Sequence, residues 1–137
     1  MQRFVFLEHT ADIKFQAFGK SIEECFENSA RAMVEAECSL KSIKPKEERK
    51  ASLKAESKEE LLHRFLEEVL FLMETEQMLF SDFKLEIQGN SLKGKLIGEK
   101  ADKKRHEFKA HAKAVTWNSF GLEKEKGLWK ATVVLDI

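Results

Sequence analysis

At 137 residues the chain has room for one domain and one core. Hydrophobic residues make up 42% and charged residues 35%, which excludes a disordered chain and gives a surface more charged than most. Twenty-four basic and 24 acidic residues cancel, so the composition lacks the basic excess that autonomous nucleic-acid binding ordinarily needs, and only a local patch would serve.

The densest apolar run, Val69 to Met73, is far short of the ~20 residues a bilayer requires. Arg3 and Glu8 interrupt the N-terminal apolar residues, so no secretory core is expected there. Cys25 and Cys38 fall on one expected helix, roughly 20 Å apart along its axis and beyond disulfide reach. They read as reduced thiols, and the expected setting is cytoplasmic.

In chain order, residues 3–7 are mostly apolar and predict a strand. Ile13, Phe15 and Ala17 alternate with Lys14, Gln16 and Phe18, a second strand with one buried face. His9-Thr10-Ala11-Asp12 forms a polar turn between them, and Gly19 ends the second strand. Ser21 with Glu24 makes a capping box, and Ile22, Cys25, Phe26, Ala30 and Met33 recur at helical spacing over about 21–38. After Pro45, the weak alternation from Glu48 to Glu56 fits an edge strand guarded by lysines. Ser57 and Glu60 open a second helix whose wide apolar face (Leu61, Leu62, Phe65, Leu66, Val69, Leu70, Leu72, Met73) should cover a sheet.

Phe83, Leu85 and Ile87 begin a hairpin that turns at Gly89-Asn90 into a strand around 92–97. A charged loop from Lys100 to His111 follows. Residues 112–118 and 128–137 predict two last strands, joined through Gly121 and Gly127. The expected architecture is α+β: a single domain over 1–137 with a mainly antiparallel or mixed sheet packed against two α-helices.

Phosphate-binding glycine loops, paired-cysteine or His-Glu zinc motifs and a nucleophile elbow are all missing from the sequence. A conventional catalytic centre is not expected.

Four ordered blocks carry a resemblance. They are Glu8-His9-Thr10-Ala11-Asp12-Ile13 followed by Gly19-Lys20-Ser21-Ile22-Glu23-Glu24-Cys25-Phe26; Leu61-Leu62 with Phe65-Leu66-Glu67-Glu68; Lys113-Ala114-Val115-Thr116-Trp117; and Val134-Leu135-Asp136-Ile137. Together they resemble the archease family over essentially the whole chain. Trp117-Asn118 departs from the family pattern, where a tyrosine is usual, so no phenolic hydroxyl is available there.

The resemblance implies a non-enzymatic accessory factor for an RtcB-type RNA ligase in tRNA splicing and RNA repair, promoting ligase guanylylation and multiple turnover. It also implies a divalent metal, Ca²⁺ before Mg²⁺ or Mn²⁺, held by Asp12, Asp136 and Ile137. If the strand ends meet, these carboxylates repel unless a cation or protons intervene, and oxygen-only ligands suit hard cations. Lys113 and His9 are expected to contact the partner or a nucleotide, with tRNA or GTP met only indirectly and no membrane involved. Two other classes stay open: a metal-dependent nucleotide or phosphoester hydrolase, and a weak RNA-binding chaperone.

Overall fold

The computed structural model describes residues 1–8 and 12–137. In chain order the elements are β1 (Phe4–Leu7), β2 (Ile13–Gly19), α1 (Ile22–Glu37), a 3₁₀ turn (Leu40–Ser42), β3 (Glu47–Lys54), α2 (Lys58–Thr75), β4 (Met78–Gln88), β5 (Ser91–Lys100), β6 (Ala114–Val115), β7 (Gly121–Glu125) and β8 (Leu128–Asp136). Both helices begin where their serines place them. Ser21 Oγ accepts the Glu24 N–H at 3.1 Å, and Ser57 Oγ accepts that of Glu60 at 3.1 Å. The return bonds differ from a full capping box: Glu24 reaches the Lys20 N–H at 2.8 Å, whereas Glu60 turns to Arg64 at 2.9 Å.

The fold is α+β, and its strands form two antiparallel sheets. The larger has the order β1-β2-β8-β6, with β7 also on β8; the smaller is β3-β5-β4. Each helix touches both sheets. Phe26 of α1 stacks on Phe65 of α2 at 6.1 Å, and Phe65 meets Phe83 of β4 edge-on at 6.3 Å, so one aromatic run joins both helices to the smaller sheet. All three rings are almost wholly buried, each contributing about 1.5–3 kcal/mol.

Three features depart from expectation. The strand expected to begin near Phe83 begins at Met78, because a bulge between Phe80 and Asp82 breaks the alternation and leaves Met78, Leu79 and Phe80 all buried. The strand expected over 112–118 is paired only at Ala114–Val115. β7 replaces what read as a simple connection, turning into β8 through Lys126 and Gly127, whose φ angles of 53° and 76° suit a two-residue hairpin.

Between β5 and β6 the chain crosses residues 101–113 without regular structure, and two buried carboxylates fix it. Glu99 lies 3% exposed and accepts from the Arg105 guanidinium, from the Lys44 N–H at 2.8 Å and from His106 Nε2 at 3.0 Å. His106 Nδ1 accepts the Asp102 N–H at 2.9 Å, so the ring proton sits on Nε2 and points at Glu99. Arg105 first, with these other donors, holds the Glu99 carboxyl well below the usual range, at about 2.

Glu37, the last residue of α1, grips the far end of the crossing. Its carbonyl accepts the Lys109 N–H at 2.8 Å, its side chain takes a bond from the Ala112 backbone, and His111 Nδ1 lies 3.7 Å from Oε1. Oε2 is buried with no hydrogen-bond partner among the described residues. Burial therefore pushes this carboxyl up to about 7, against the Ala112 bond that lowers it and with Glu74 raising it further.

These two groups give opposite pH dependences. Glu99, lowered in the fold, contributes stability above pH 4.5 that is lost as pH falls through about 2. Glu99→Gln should lower stability near neutrality by on the order of 2 kcal/mol and flatten the acid limb between those pH values, as read by urea denaturation. Glu37, raised in the fold, contributes most below pH 4.5 and loses that contribution as pH rises through about 7. Glu37→Gln should therefore raise Tm at pH 8, a gain that shrinks towards pH 5 in thermal melts followed by circular dichroism.

Candidate functional site

The ends of three strands meet at one corner of the larger sheet. β2 and β8 pair from Gly19 opposite Trp129 to Ile13 opposite Leu135. Asp12 directly precedes Ile13 and Asp136 directly follows Leu135, so the two aspartates flank the last pair of that ladder. On the other side of β8, β6 pairs Ala114 with Asp136 and Val115 with Leu135. The Lys113 N–H donates to the Asp136 carbonyl at 2.7 Å, and both the backbone and the hydroxyl of Thr116 donate to the Val134 carbonyl at 3.0 Å.

Lys113 and Asp136 are exposed, while Asp12 is half-buried. Lys113 makes no ion pair among the described residues. Ile137, next along, is 38% exposed. His9 lies outside the described residues. The register thus brings Asp12, Lys113 and Asp136 to one corner, with Ile137 following Asp136.

Asp12 and Asp136 offer hard oxygen donors of the kind Ca²⁺ and Mg²⁺ accept. Among the described residues, no group of three or more His, Cys, Asp or Glu side chains is placed to hold an ion. The donor chemistry fits a hard divalent cation, with two side-chain carboxylates as its base. Zinc, which favours sulfur and imidazole, fits poorly.

Three of the six basic residues from Lys100 to Lys113 are held internally. Arg105 binds Glu99, Lys109 binds Glu35 at 2.8 Å, and Lys100 donates to the Glu76 carbonyl at 2.9 Å. Lys103, Lys104 and Lys113 keep their ammonium groups exposed.

Close along the chain from Lys113 stands a feature that periodicity concealed. Trp117, 59% exposed, stacks on the buried ring of His63 at 3.8 Å and 2°, and Phe120 packs edge-on against both. His63 Nδ1 lies 3.2 Å from Glu67 Oε1, while Nε2 is buried with no partner among the described residues. The available signal was a histidine inside the apolar face of α2, four positions before Glu67.

The described helices include none long and apolar enough to cross a membrane. Comparison with known proteins is consistent along the whole length. The model of the archease protein family matches residues 4–137. Protein archease of Methanosarcina mazei is 40% identical over 141 residues, covering 99% of this chain and 97% of that one. Its counterpart in Pyrococcus abyssi is 39% identical, with all of both chains covered. The solution structure of Methanobacterium thermoautotrophicum protein 1598 superposes with a TM-score of 0.90 at 39% identity over all of both chains. A Thermotoga maritima crystal structure, described as an archease and possible chaperone, shares the fold with a TM-score of 0.65 at 23% identity, over 96% of this chain and 94% of that one. The chain belongs to the archease family.

Proposed function

We propose that this protein is a non-enzymatic activator of an RtcB-type RNA ligase in the cytoplasm, serving tRNA splicing and RNA repair by promoting ligase guanylylation and multiple turnover. What supports the reading is the convergence of Asp12, Lys113 and Asp136 at one exposed corner, in a chain that matches the archease family over nearly its whole length.

In this reading Asp12, Asp136 and Ile137 hold one divalent cation, Ca²⁺ in first place. When bound, the cation supplies a fixed positive charge that hard anionic oxygens can meet. Asp136 pairs with Ala114 of β6 and directly follows Leu135, the last residue of β8 paired with β2, so its carboxylate stands on a strand end and not on a loose tail. Lys113, tied to the Asp136 carbonyl through its backbone, keeps its ammonium group in solvent for phosphate charge or an acidic partner surface. Trp117 adds an exposed indole with no hydroxyl, so its contribution is contact and not proton transfer. His9 stands next to this site in sequence and would orient a ligand or a partner group. At this corner, contact with tRNA or GTP is made through the ligase.

Two measurements test this. Titration calorimetry with Ca²⁺ should show one site on the wild type and at least a tenfold loss on Asp136→Asn; equal binding by both proteins refutes the metal site. With ligase limiting, wild type should raise the number of RNA joins per ligase molecule, and Lys113→Ala should lose most of that effect while keeping its Tm and its Ca²⁺ affinity. Full activation by folded Lys113→Ala removes the lysine from the mechanism, and GTP turnover by the isolated protein overturns the non-enzymatic reading.

A further inference from the structure

The outer face of the smaller sheet carries a row of lysines that neither fold nor corner site explains. In the register of the sheet Lys50 of β3 lies opposite Lys95 of β5, and Lys95 lies opposite Lys84 of β4. Residues directly opposite one another share a face, so three ammonium groups stand side by side across three strands. At about 4.8 Å between strands the row spans on the order of 10 Å. All three side chains are exposed.

Like charges placed directly opposite repel, and only part of this repulsion is relieved. Glu48 lies 3.9 Å from Lys95, and in the next row Glu86 lies 3.7 Å from Lys93. Neither Lys50 nor Lys84 has a carboxylate within ion-pair distance among the described residues. Protection of an open sheet edge is the ordinary reason for strand lysines. It can apply to Lys50 on β3 and Lys84 on β4, the two outer strands, but not to Lys95, because β5 is the central strand. The row also borders a hollow of about 840 Å³ whose other charged lining is Arg31 and Lys93 with Glu27, Asp82 and Glu86; Asp82 is bound to Arg31 and Glu86 lies beside Lys93.

We propose that this face binds the phosphodiester backbone of single-stranded RNA or DNA, with Lys50, Lys84 and Lys95 each neutralising a phosphate. A linear row of exposed ammonium groups, two of them without a carboxylate partner among the described residues and the third in a long, solvent-exposed pair with Glu48, suits a linear polyanion, whose condensed counterions are released on binding. Lysine, a point charge without a fixed fork, tracks such a backbone without reading its bases. No aromatic residue stands in this row or in the next, Ser52–Lys93–Glu86, so the binding is electrostatic and indifferent to sequence, unlike that of a stacking platform. The site stands apart from the Asp12–Asp136 corner and does not rest on ligase activation.

The test is fluorescence anisotropy with a labelled oligouridylate of about 20 nucleotides, repeated across a salt series. Wild type should bind, with log K falling linearly against log salt. The triple variant Lys50→Gln, Lys84→Gln, Lys95→Gln should bind at least tenfold more weakly at low salt, with a slope smaller by about 2, since each phosphate contact on a single strand contributes about 0.7. A control variant, Lys41→Gln, Lys103→Gln, Lys126→Gln, changes net charge equally with no substitution on this sheet and should retain most of the affinity. Circular dichroism checks that both variants are folded, and the single variant Lys95→Gln, expected to lose part of the slope, replaces the triple if that one is not. The proposal fails if wild type does not bind, if the sheet variant keeps wild-type affinity and slope, or if both triple variants lose equally. It fails too if polyglutamate binds and the oligonucleotide does not, which would assign the face to an acidic protein.

Discussion

Strands β2 and β8 lie side by side although more than a hundred residues of chain separate them, Ile13 opposite Leu135 and Gly19 opposite Trp129. Closing so long a loop costs entropy, although that cost grows only slowly with length. It is offset by burial of Phe15, Ala17, Ala131, Val133 and Leu135 against α1. The same burial fixes the register, because a slip by one residue would turn this apolar set outward. Among the described residues β1 pairs only with β2, and β6 and β7 pair only with β8, so the larger sheet is built on this pair. The relation of Asp12 to Asp136 follows from it, and so does the attachment of Lys113. A core-packing constraint thereby sets the geometry of the polar corner.

The crossing over residues 101–113 depends on a second device, in which two carboxylates are treated in opposite ways. Glu99 is buried and surrounded by donors, so its charge is compensated and the loop is tied to β5 and Lys44. Glu37 is buried with one oxygen unpartnered, and its charged form is disfavoured. Both clamp the segment that delivers Ala112, Lys113 and Ala114 to β8. The first clamp is strongest near neutrality; the second weakens there. The approach to the corner is thus firm at its Glu99 end and sensitive to pH at its Glu37 end.

Local signals carried the helices, because periodicity and caps are properties of neighbouring residues. The serines at 21 and 57 start helices as their spacing suggests, and the apolar face of α2 is buried. What local signals could not carry was long-range pairing. The division into two sheets depends on which strands meet, and no periodicity encodes that. β7 escaped because its residues, Gly-Leu-Glu-Lys-Glu, pair along β8 while facing mostly solvent, so they show little burial pattern. The bulge after Phe80 hid the start of β4. At the site, the chemical type of Asp12, Asp136 and Lys113 was legible through family resemblance, and the register adds their common corner. The stack of Trp117 on His63 joins a loop to a helix more than fifty residues away, which spacing could not suggest.

Net charge illustrates the same distinction between a total and an arrangement. Equal numbers of acidic and basic residues argue against nucleic-acid binding when charge is taken as a sum. At a few ångströms' range, potential depends on where charges sit, and beyond a Debye length of about 8 Å the compensating charges elsewhere are largely screened. Glu37 at the end of α1 and Glu99 at the far end of β5 are committed to the crossing loop, four residues or more along the chain from the row of Lys50, Lys84 and Lys95. Acidic residues consumed in internal contacts add to the total, and on that face Glu48 and Glu86 meet Lys95 and Lys93 while leaving Lys50 and Lys84 unneutralised. Zero net charge is therefore compatible with a polyanion-binding surface, provided the strands align their lysines, and the antiparallel register of β3, β5 and β4 does so.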